Sequence, residues 1–544
     1  MFNQVMKPTP TTGPTAPPAP ANPGSGMARA ASLIALGNIS SRVLGLVRET
    51  VIASLFGATG LVSAFRVAQI IPTMLYDLLV GGMVSSALVP VFSEQAEKDK
   101  TELWRVSSLL LSLAVIVLAV VVLLIELAAP QVARLMAGGF DDTLLAETTR
   151  LIRITTPAVL FLSLSGIVTG LLYALKRFTL PAFTASVFNA SIVAVALVGA
   201  LGFGWGIESL AYGLLLGAFL QVALQLPGLR DARFRFAIDL QHPALRRIVK
   251  LGLPVILGLV ISQVAIALDR NLASRTGEQS IAWMQYATTI IQFPLGLIAA
   301  AISLAILPTL SRQATQSTAN GTGLHQFMDT LAAGLRMVLV LIIPATAALF
   351  ILAEPVVALL FERGQFTPFD TQQTVLALRF YLLGLTFAAV DQPLVFAYYA
   401  RQNTLTPALV GLLGVGFYLL AALPPTLFRP LQMTDLVLAN SVQLTGHALV
   451  MLWLVNRVAS LRGRRLGQTT FKTVAATAAM SAVLWLSLPL LNQWLPPLNL
   501  LFKALHLGVL VLLGASVYFV AAWLLRLPEL QTLLQLPARF LPRR

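Results

Sequence analysis

Residues 104–129, WRVSSLLLSLAVIVLAVVVLLIELAA, decide the class of this protein. No charged residue lies between Arg105 and Glu126, and an apolar run of this length is long enough to cross the hydrocarbon core of a bilayer as a helix. The whole chain of 544 residues has the same character: 57% are hydrophobic, only 11% are charged, and the mean hydropathy is +0.82. Soluble domains carry about 25% charged residues. The composition therefore excludes an ordinary soluble enzyme and predicts an all-α polytopic membrane protein.

Hydrophobic runs and the breakers between them predict about fourteen transmembrane helices. The predicted segments are 31–56, 62–92, 104–129, 148–174, 179–202, 206–228, 247–273, 280–310, 328–361, 372–400, 405–427, 434–456, 471–493 and 500–525. Several contain proline or glycine, such as Pro72 in the second and Pro294 in the eighth. Helices of this kind bend around an interior cavity.

The charges of the connecting loops predict the orientation in the membrane. The outer loops at 57–61, 203–207 and 494–499 contain no lysine or arginine. The loops after the sixth and twelfth segments and the C-terminus are basic, with Arg230, Arg233, Arg235, Arg246, Arg247, Lys250, Arg457, Arg462, Arg464, Arg465, Arg539, Arg543 and Arg544. The positive-inside rule then places both termini in the cytoplasm, and it explains the net charge of +15 without nucleic-acid binding.

An internal repeat divides the chain. Residues 64–93 align with 282–311 at an offset of 218, and Tyr173-Ala174 is repeated by Tyr399-Ala400. Six helices separate the copies, which predicts two six-helix lobes in parallel repeat plus two C-terminal helices. The predicted units are a disordered, Pro-rich cytoplasmic tail (1–27), an N-lobe (28–229), a C-lobe (230–460), and helices thirteen and fourteen with the C-terminus (461–544). Such repeats are typical of transporters, with the substrate site between the lobes.

Ionisable side chains lie along one face of the first predicted helix. At 100° per residue an arc of about 120° contains most of its polar residues. They are Asn38, Ser41, Arg42, Gly45, Arg48 and Glu49. Because charges inside a membrane span are costly, we expect this face to line a cavity. The alternative is that Arg42 and Arg48 extend to a membrane interface.

The seventh predicted helix has a similar face. Ser262 lies in line with Asp269, and Gln263 lies in line with Arg270. In the seventh helix the acidic residue precedes the arginine, whereas in the first helix Arg48 precedes Glu49. Two interpretations stay open: an ion-pair lock between the lobes, Arg48 with Asp269 and Glu49 with Arg270, or a substrate site, and one set of residues can serve both. Further charges within predicted helices are the secondary site candidates Arg66 and Asp77 and the packing candidates Arg336, Asp391 and His447.

Several arginines in an apolar cavity predict a phosphate-bearing ligand. The guanidinium group keeps its charge when dehydrated and matches phosphate oxygens with a fixed set of donors. A lipid-linked pyrophosphate fits this chemistry, whereas a simple cation does not. The chain has no cysteine, its four histidines have no metal-ligand spacing, and no GxxxxGK[ST] motif is present. We therefore expect no cofactor, no metal and no nucleotide, with energy from a Na+ or H+ gradient or the membrane potential.

The run Ser41–Glu49, SRVLGLVRE, resembles the first-helix signature of the MurJ (MviN) family of lipid II flippases. Further similar stretches are Phe56-Gly57-Ala58, residues 281–287 (IAWMQYA), residues 292–296 (QFPLG) and residues 307–311 (LPTLS). The resemblance implies a member of the multidrug/oligosaccharidyl-lipid/polysaccharide exporter superfamily. Such a protein is a transporter and not an enzyme.

The resemblance also implies a substrate and its site. The family moves lipid II, an undecaprenyl-pyrophosphate disaccharide-pentapeptide, from the inner to the outer leaflet of the bacterial cytoplasmic membrane for peptidoglycan synthesis. A cationic cavity holds the head group, and helices thirteen and fourteen form a groove for the lipid tail. By position, Arg42 and Arg48 match the family's two first-helix arginines, and Asp269 matches an acidic position. The implied partners are lipid II, membrane lipids and cell-wall synthesis proteins.

Four positions depart from the family pattern. Ser63, Tyr76, Thr288 and Thr289 stand where the family commonly has charged residues. Arg270 could substitute for the lost eighth-helix arginine. The departures keep two alternatives open within transport: a polysaccharide-unit flippase and a cation-coupled exporter. A membrane glycosyltransferase is disfavoured, because it would need a large catalytic loop. A scaffold that binds the lipid-linked precursor without transporting it remains a third alternative.

Overall fold

The computed structural model describes residues 23–320, 323–496 and 499–530, and within these ranges the chain is helical without a strand. The predicted all-α class is confirmed. Most of the predicted tail and the three C-terminal arginines lie outside the described residues. The first helix begins at Pro23, ahead of the predicted segment at 31–56.

The helices of the first half are α1 (Pro23–Phe56), α2 (Gly60–Tyr76), α3 (Val89–Lys98), α4 (Lys100–Leu127), α5 (Ala129–Ala137), α6 (Asp142–Thr155), α7 (Ala158–Ala174), α8 (Thr179–Ala182), α9 (Thr184–Leu197) and α10 (Glu208–Gln225). Those of the second half are α11 (Pro243–Ser274), α12 (Ser280–Pro294), α13 (Ala301–Asn320), α14 (Gly323–Ile351), α15 (Ala353–Leu360), α16 (Pro368–Ala400), α17 (Leu405–Ala422), α18 (Met433–Val458), α19 (Leu466–Trp494) and α20 (Leu500–Leu524).

Several predicted segments are not single α-helices. The second continues from α2 into π-helical turns at Asp77–Gly81 and Val84–Leu88, and the eighth passes from α12 through a π-helical turn at Leu295–Ala300 into α13. The fourth is divided at Pro157, which restricts the residue before it and begins a new helix. The ninth is divided at Leu352 into α14 and α15. Since π-turns displace part of a helix sideways, they are typical of functional sites.

Eleven helices in the described ranges are long and apolar enough to cross a membrane. They correspond to eleven of the fourteen predicted segments. The other three predicted segments fall on α1, on α2 with its π-helical continuation, and on α11, all of which are helical but are not among the eleven.

Close packing of small residues joins the helices of the first half. Helix α10 packs on α9 and α7, and α1 packs on α9. A Cβ atom at Gly213 would lie 2.9 Å from Ile192 Cα, and one at Gly217 would lie 3.0 Å from Phe188 O. In lipid no hydrophobic driving force holds helices together, so such close backbone approach supplies the packing energy.

The largest apolar core contains residues of both halves, and it lies beside the turn between α1 and α2. Phe65 of α2 and Tyr286 of α12 are both fully buried in it. Helices α19 and α20 form a separate core with α14, where Tyr518 Oη donates a hydrogen bond to Val340 O (2.6 Å). The fold therefore brings α1, α2 and α12 together and places the last two helices outside them.

Candidate functional site

Helix α1 has one lipid-like face and one polar face. Leu36, Ile39, Val43 and Val47 recur at helical spacing, and each is 41–55% exposed. On a wheel of about 100° per residue this face lies opposite the predicted polar face. Toward that polar face, Asn38 and Arg42 are exposed, Ser41 and Arg48 are partly buried, and Glu49 is buried. The polar face thus runs from an open region at Asn38 to a closed one at Glu49.

Arg42 lies against the π-helical turn that follows α12. Its Nη1 donates a hydrogen bond to Gln292 O (3.3 Å), and its guanidinium group occupies the place that a side chain at Gly296 would take. Glycine at position 296 therefore leaves room for the Arg42 side chain of the first predicted helix to contact the eighth. The Arg42 side chain as a whole stays exposed.

Glu49 is held between two arginines. Arg48 donates from Nε (3.1 Å) and Nη2 (2.6 Å) to Glu49 Oε1, and Arg66 of α2 donates from Nη1 (3.2 Å) to Oε1 and from Nη2 to Oε2. Glu49 and Arg66 are 1% and 3% exposed, whereas Arg48 is 16% exposed. A carboxylate buried in this way is stable only because it is paired with the arginines and accepts hydrogen bonds from them.

Asn189 on α9 contacts the polar face of α1 and was not predicted from the sequence. Its Oδ1 accepts a hydrogen bond from Arg48 Nη1 (2.9 Å), and its Nδ2 donates to Ser41 O (3.2 Å). Asn189 therefore fixes both the backbone of α1 and the direction of Arg48. The sequence does contain a signal for this residue: Asn189 is a single asparagine in the apolar run of the fifth predicted segment, where an amide is costly unless it has hydrogen-bond partners.

The site residues of α11 do not meet those of α1 in this structure. Asp269 Oδ1 accepts a hydrogen bond from Tyr418 Oη on α17 (2.8 Å). Arg270 Nε and Gln263 Oε1 are buried without a hydrogen-bond partner among the described residues, and Ser262 is exposed. Across the described residues no ion pair within 4.0 Å joins Arg48 to Asp269 or Glu49 to Arg270. The lock is therefore not formed in this conformation.

Hydroxyl groups have local partners at three positions that depart from the family pattern. Ser63 Oγ is buried and accepts a hydrogen bond from Ala282 N (3.2 Å), which joins α2 to α12. Thr288 and Thr289 both donate to Gln285 O (2.9 Å each) within α12. Because these contacts are satisfied without charges, the positions serve packing here.

The remaining candidate charges lie elsewhere. Asp77 is exposed at the start of its π-helical turn. Arg336 Nε lies 2.8 Å from Glu529, and His447 Nδ1 lies 2.9 Å from Asp391, a contact that is an ion pair only when His447 is protonated. Within the described ranges, no group of three His, Cys, Asp or Glu residues could hold a metal ion.

Hydrogen bonds between the two halves form more than one group, including one beside the turn that joins α1 and α2 and one where Arg247 of α11 reaches Glu94 of α3. The first group runs from Tyr286 Oη to Gly57 O (2.8 Å) and from Gln365 N to Ser54 O (3.0 Å), and a further bond joins Gly139 N to Ser274 Oγ (2.9 Å). Gly57 has a φ of +64°, and a Cβ atom there would lie 2.6 Å from Gln365 O. A left-handed glycine is thus required where the halves touch.

Comparison with known sequences gives one family. The sequence model of the family described as lipid II flippase MurJ matches residues 52–505. A probable lipid II flippase MurJ of Haemophilus influenzae is 30% identical over 500 residues, which cover 88% of this chain and 96% of the relative. The lipid II flippase MurJ of Burkholderia cenocepacia is 31% identical over 403 residues, covering 72% of this chain and 76% of the relative.

Solved structures share the fold. A lipid II flippase MurJ in an inward closed conformation matches with a TM-score of 0.75 at 24% identity, covering 90% of this chain and 98% of that chain. An inward-facing multidrug resistance MATE family transporter of the MOP superfamily matches with a TM-score of 0.64 at 14% identity, covering 78% and 95% of the two chains. The resemblance stated from the sequence is confirmed, and the chain belongs to the lipid II flippase MurJ family.

Proposed function

We propose that this protein moves lipid II from the inner to the outer leaflet of the bacterial cytoplasmic membrane by alternating access, and that it catalyses no covalent reaction. The observation that carries the proposal is the polar face of α1, where Arg42 and Arg48 point away from the exposed apolar face. Two arginines on one inward face fit a pyrophosphate, whose oxygens their planar donors match. Family membership supports the same substrate.

The proposed architecture has fourteen crossings, both termini in the cytoplasm, an N-lobe at 28–229, a C-lobe at 230–460 and two further helices. Local geometry at the repeat offsets supports the lobes. The π-helical turns Asp77–Gly81 and Leu295–Ala300 begin 218 residues apart, the offset of the sequence repeat. Lys176 and Gln402, which follow the two Tyr-Ala pairs, have left-handed φ values of 58° and 56°.

In the proposed topology the halves are joined near both ends. The hydrogen bond from Tyr286 Oη to Gly57 O lies beside the loop at 57–61, which the charge distribution assigns to the exterior. The ion pair of Arg247 with Glu94 joins α11 to α3 in the basic region that the same distribution assigns to the cytoplasm. These contacts support a conformation that is closed at the exterior end and bridged by an ion pair at the cytoplasmic end.

Within the site we assign substrate binding to Asn38, Ser41, Arg42, Arg48 and Arg270, and switching to Glu49, Ser262, Gln263 and Asp269. Glu49, Arg48 and Arg66 form the Glu49 cluster. Of the two arginines, Arg48 is the one that can leave Glu49 to bind the substrate, because it is more exposed than Arg66. When Arg48 turns to a phosphate, Arg66 still compensates the buried carboxylate. The coupling energy is proposed to come from an ion gradient or the membrane potential, without a cofactor.

The decisive experiment replaces an essential lipid II flippase in a depletion strain by this gene. Growth with normal cell shape, together with translocation of labelled lipid II, supports the proposal. A polysaccharide-unit flippase or a cation-coupled exporter would leave the depleted cells to lyse with lipid II retained in the inner leaflet. A variant with both Arg42→Ala and Arg48→Ala serves as the inactive control and should reach the membrane without restoring growth.

A further inference from the structure

An open cavity of about 700 Å3 lies where α18 ends and α19 begins, away from the polar face of α1. Leu449, Leu452 and Trp453 form its apolar wall, and Arg462 and Arg465 lie at its polar end. None of its lining residues is acidic. The cavity therefore combines a surface for a hydrocarbon chain with two positive charges.

The two arginines at this cavity have no structural partner. Among the described residues, neither the Arg462 nor the Arg465 guanidinium group forms a hydrogen bond or ion pair, and both side chains are exposed. Arg464, between them, is different: its Nε donates to Asp329 Oδ1 (2.7 Å), and a second donor reaches Ser460 O. Arg464 thus stabilises the fold, whereas Arg462 and Arg465 are available to bind a ligand.

The aromatic wall places the cavity at the level of a membrane interface. Trp453 is 52% exposed, and the guanidinium carbon of Arg457 lies 4.1 Å from its ring centroid. Tryptophan and arginine side by side at a helix end are typical of the boundary between acyl chains and head groups. Leu449, one turn earlier on α18, is 51% exposed and continues the apolar wall toward the hydrocarbon core.

The floor of the cavity is kept open by glycine. A Cβ atom at Gly463 or Gly467 would meet nothing within 4 Å. Gly463 has a φ of +81°, which suits glycine, but Gly467 lies in the first turn of α19 without a left-handed conformation. Gly467 therefore offers a position where a larger side chain fills the cavity without straining the backbone.

We propose that this cavity binds an anionic glycerophospholipid of the surrounding leaflet, with its phosphate diester on Arg462 and Arg465 and an acyl chain along Leu449 and Trp453. Basic pockets beside transmembrane helices bind anionic head groups because charge and apolar contact act together. This is a bulk-lipid site, separate from the proposed lipid II site on α1, and it does not depend on the flippase assignment.

The test titrates phosphatidylglycerol into delipidated protein in detergent and counts bound lipids by native mass spectrometry. An Arg462→Ala/Arg465→Ala variant should lose affinity for phosphatidylglycerol at least about tenfold, because hydrogen bonds to charged groups are the strong ones. The matched control, Arg230→Ala/Arg233→Ala, removes two exposed arginines from another basic loop and should keep wild-type affinity. Phosphatidylcholine should bind the wild type more weakly, and inorganic phosphate should not displace phosphatidylglycerol.

A second pair of variants separates the cavity from its charge. Gly467→Leu should weaken phosphatidylglycerol binding although both arginines remain, whereas Gly508→Leu, at an equally open glycine of α20, should not. The unfolding temperature of each variant in detergent confirms that it is folded. Equal binding of the two lipids, displacement by inorganic phosphate, or unchanged affinity in both the double-arginine and Gly467→Leu variants would overturn the proposal.

Discussion

Replacing Arg66 with methionine should destabilise the protein strongly. The change removes both guanidinium contacts to Glu49, a carboxylate that is 1% exposed. Hydrogen bonds to charged groups contribute about 1.5–3 kcal/mol each, and breaking a buried ion pair costs about 3–5 kcal/mol. Arg48 still pairs with Glu49, so we expect a loss of about 3 kcal/mol, at the lower end of this range. The measurement is the unfolding midpoint of purified protein in detergent.

A double variant tests whether the loss comes from the unpaired carboxylate. In Arg66→Met/Glu49→Gln no buried anion is left, so the double variant should be more stable than the sum of the two single losses predicts, by about 1–3 kcal/mol. Arg379→Met is the matched control, because Arg379 is an exposed arginine on α16 that forms no ion pair among the described residues; its Nε reaches Phe350 O at 3.4 Å and its guanidinium carbon lies 5.6 Å from the Phe350 ring centroid. Wild-type stability of Arg66→Met, or strictly additive losses, would refute the reasoning.

Three further predictions concern topology, substrate and pH. Reporter fusions should place Arg464 in the cytoplasm and Asn499 outside, and reversed signals at both would refute the orientation. Arg42→Ala should abolish complementation at normal protein level, since an exposed guanidinium group at the open end of the site is lost, and full growth would remove Arg42 from the substrate site. Lys98 and Arg247 lower the pKa of the partly exposed Glu94 below its usual 4.5. A stabilising effect of Glu94 over Glu94→Gln should thus be present above pH 4.5 and decrease as the pH falls through the lowered pKa; an effect that is already lost above pH 4.5 would contradict this.

Helical periodicity was enough to predict which side of α1 turns inward. The wheel placed Arg42 and Arg48 opposite Val43 and Val47, and the structure leaves both valines exposed. Hydrophobic runs were likewise enough for the helical class. They could not predict the divisions at Pro157 and Leu352 or the π-helical turns, because these depend on how neighbouring helices pack and not on the apolar content of a segment.

The partners within the site could not be predicted from periodicity. A wheel gives the direction of a side chain but not the helix that it meets. From the sequence, a pair of Glu49 with Arg270 of the other half was one of two open interpretations, and Arg66 was a secondary candidate. In the structure the chain turns at Gly57 between α1 and α2, and the side chain of Arg66, 17 residues from Glu49, reaches its carboxylate.

The two arginines that contact Glu49 differ in burial. Both arginines contact the same carboxylate, but Arg66 is 3% exposed and Arg48 is 16% exposed, with Asn189 as a further partner. Release of Arg66 would leave a buried charge, whereas release of Arg48 leaves Glu49 paired. With Arg42, the three arginines and one carboxylate leave two positive charges, and a pyrophosphate diester carries one negative charge on each phosphate. An anion of this kind would neutralise the two charges, so we expect Arg48 to affect transport, whereas the burial of Arg66 leads us to expect an effect on folding.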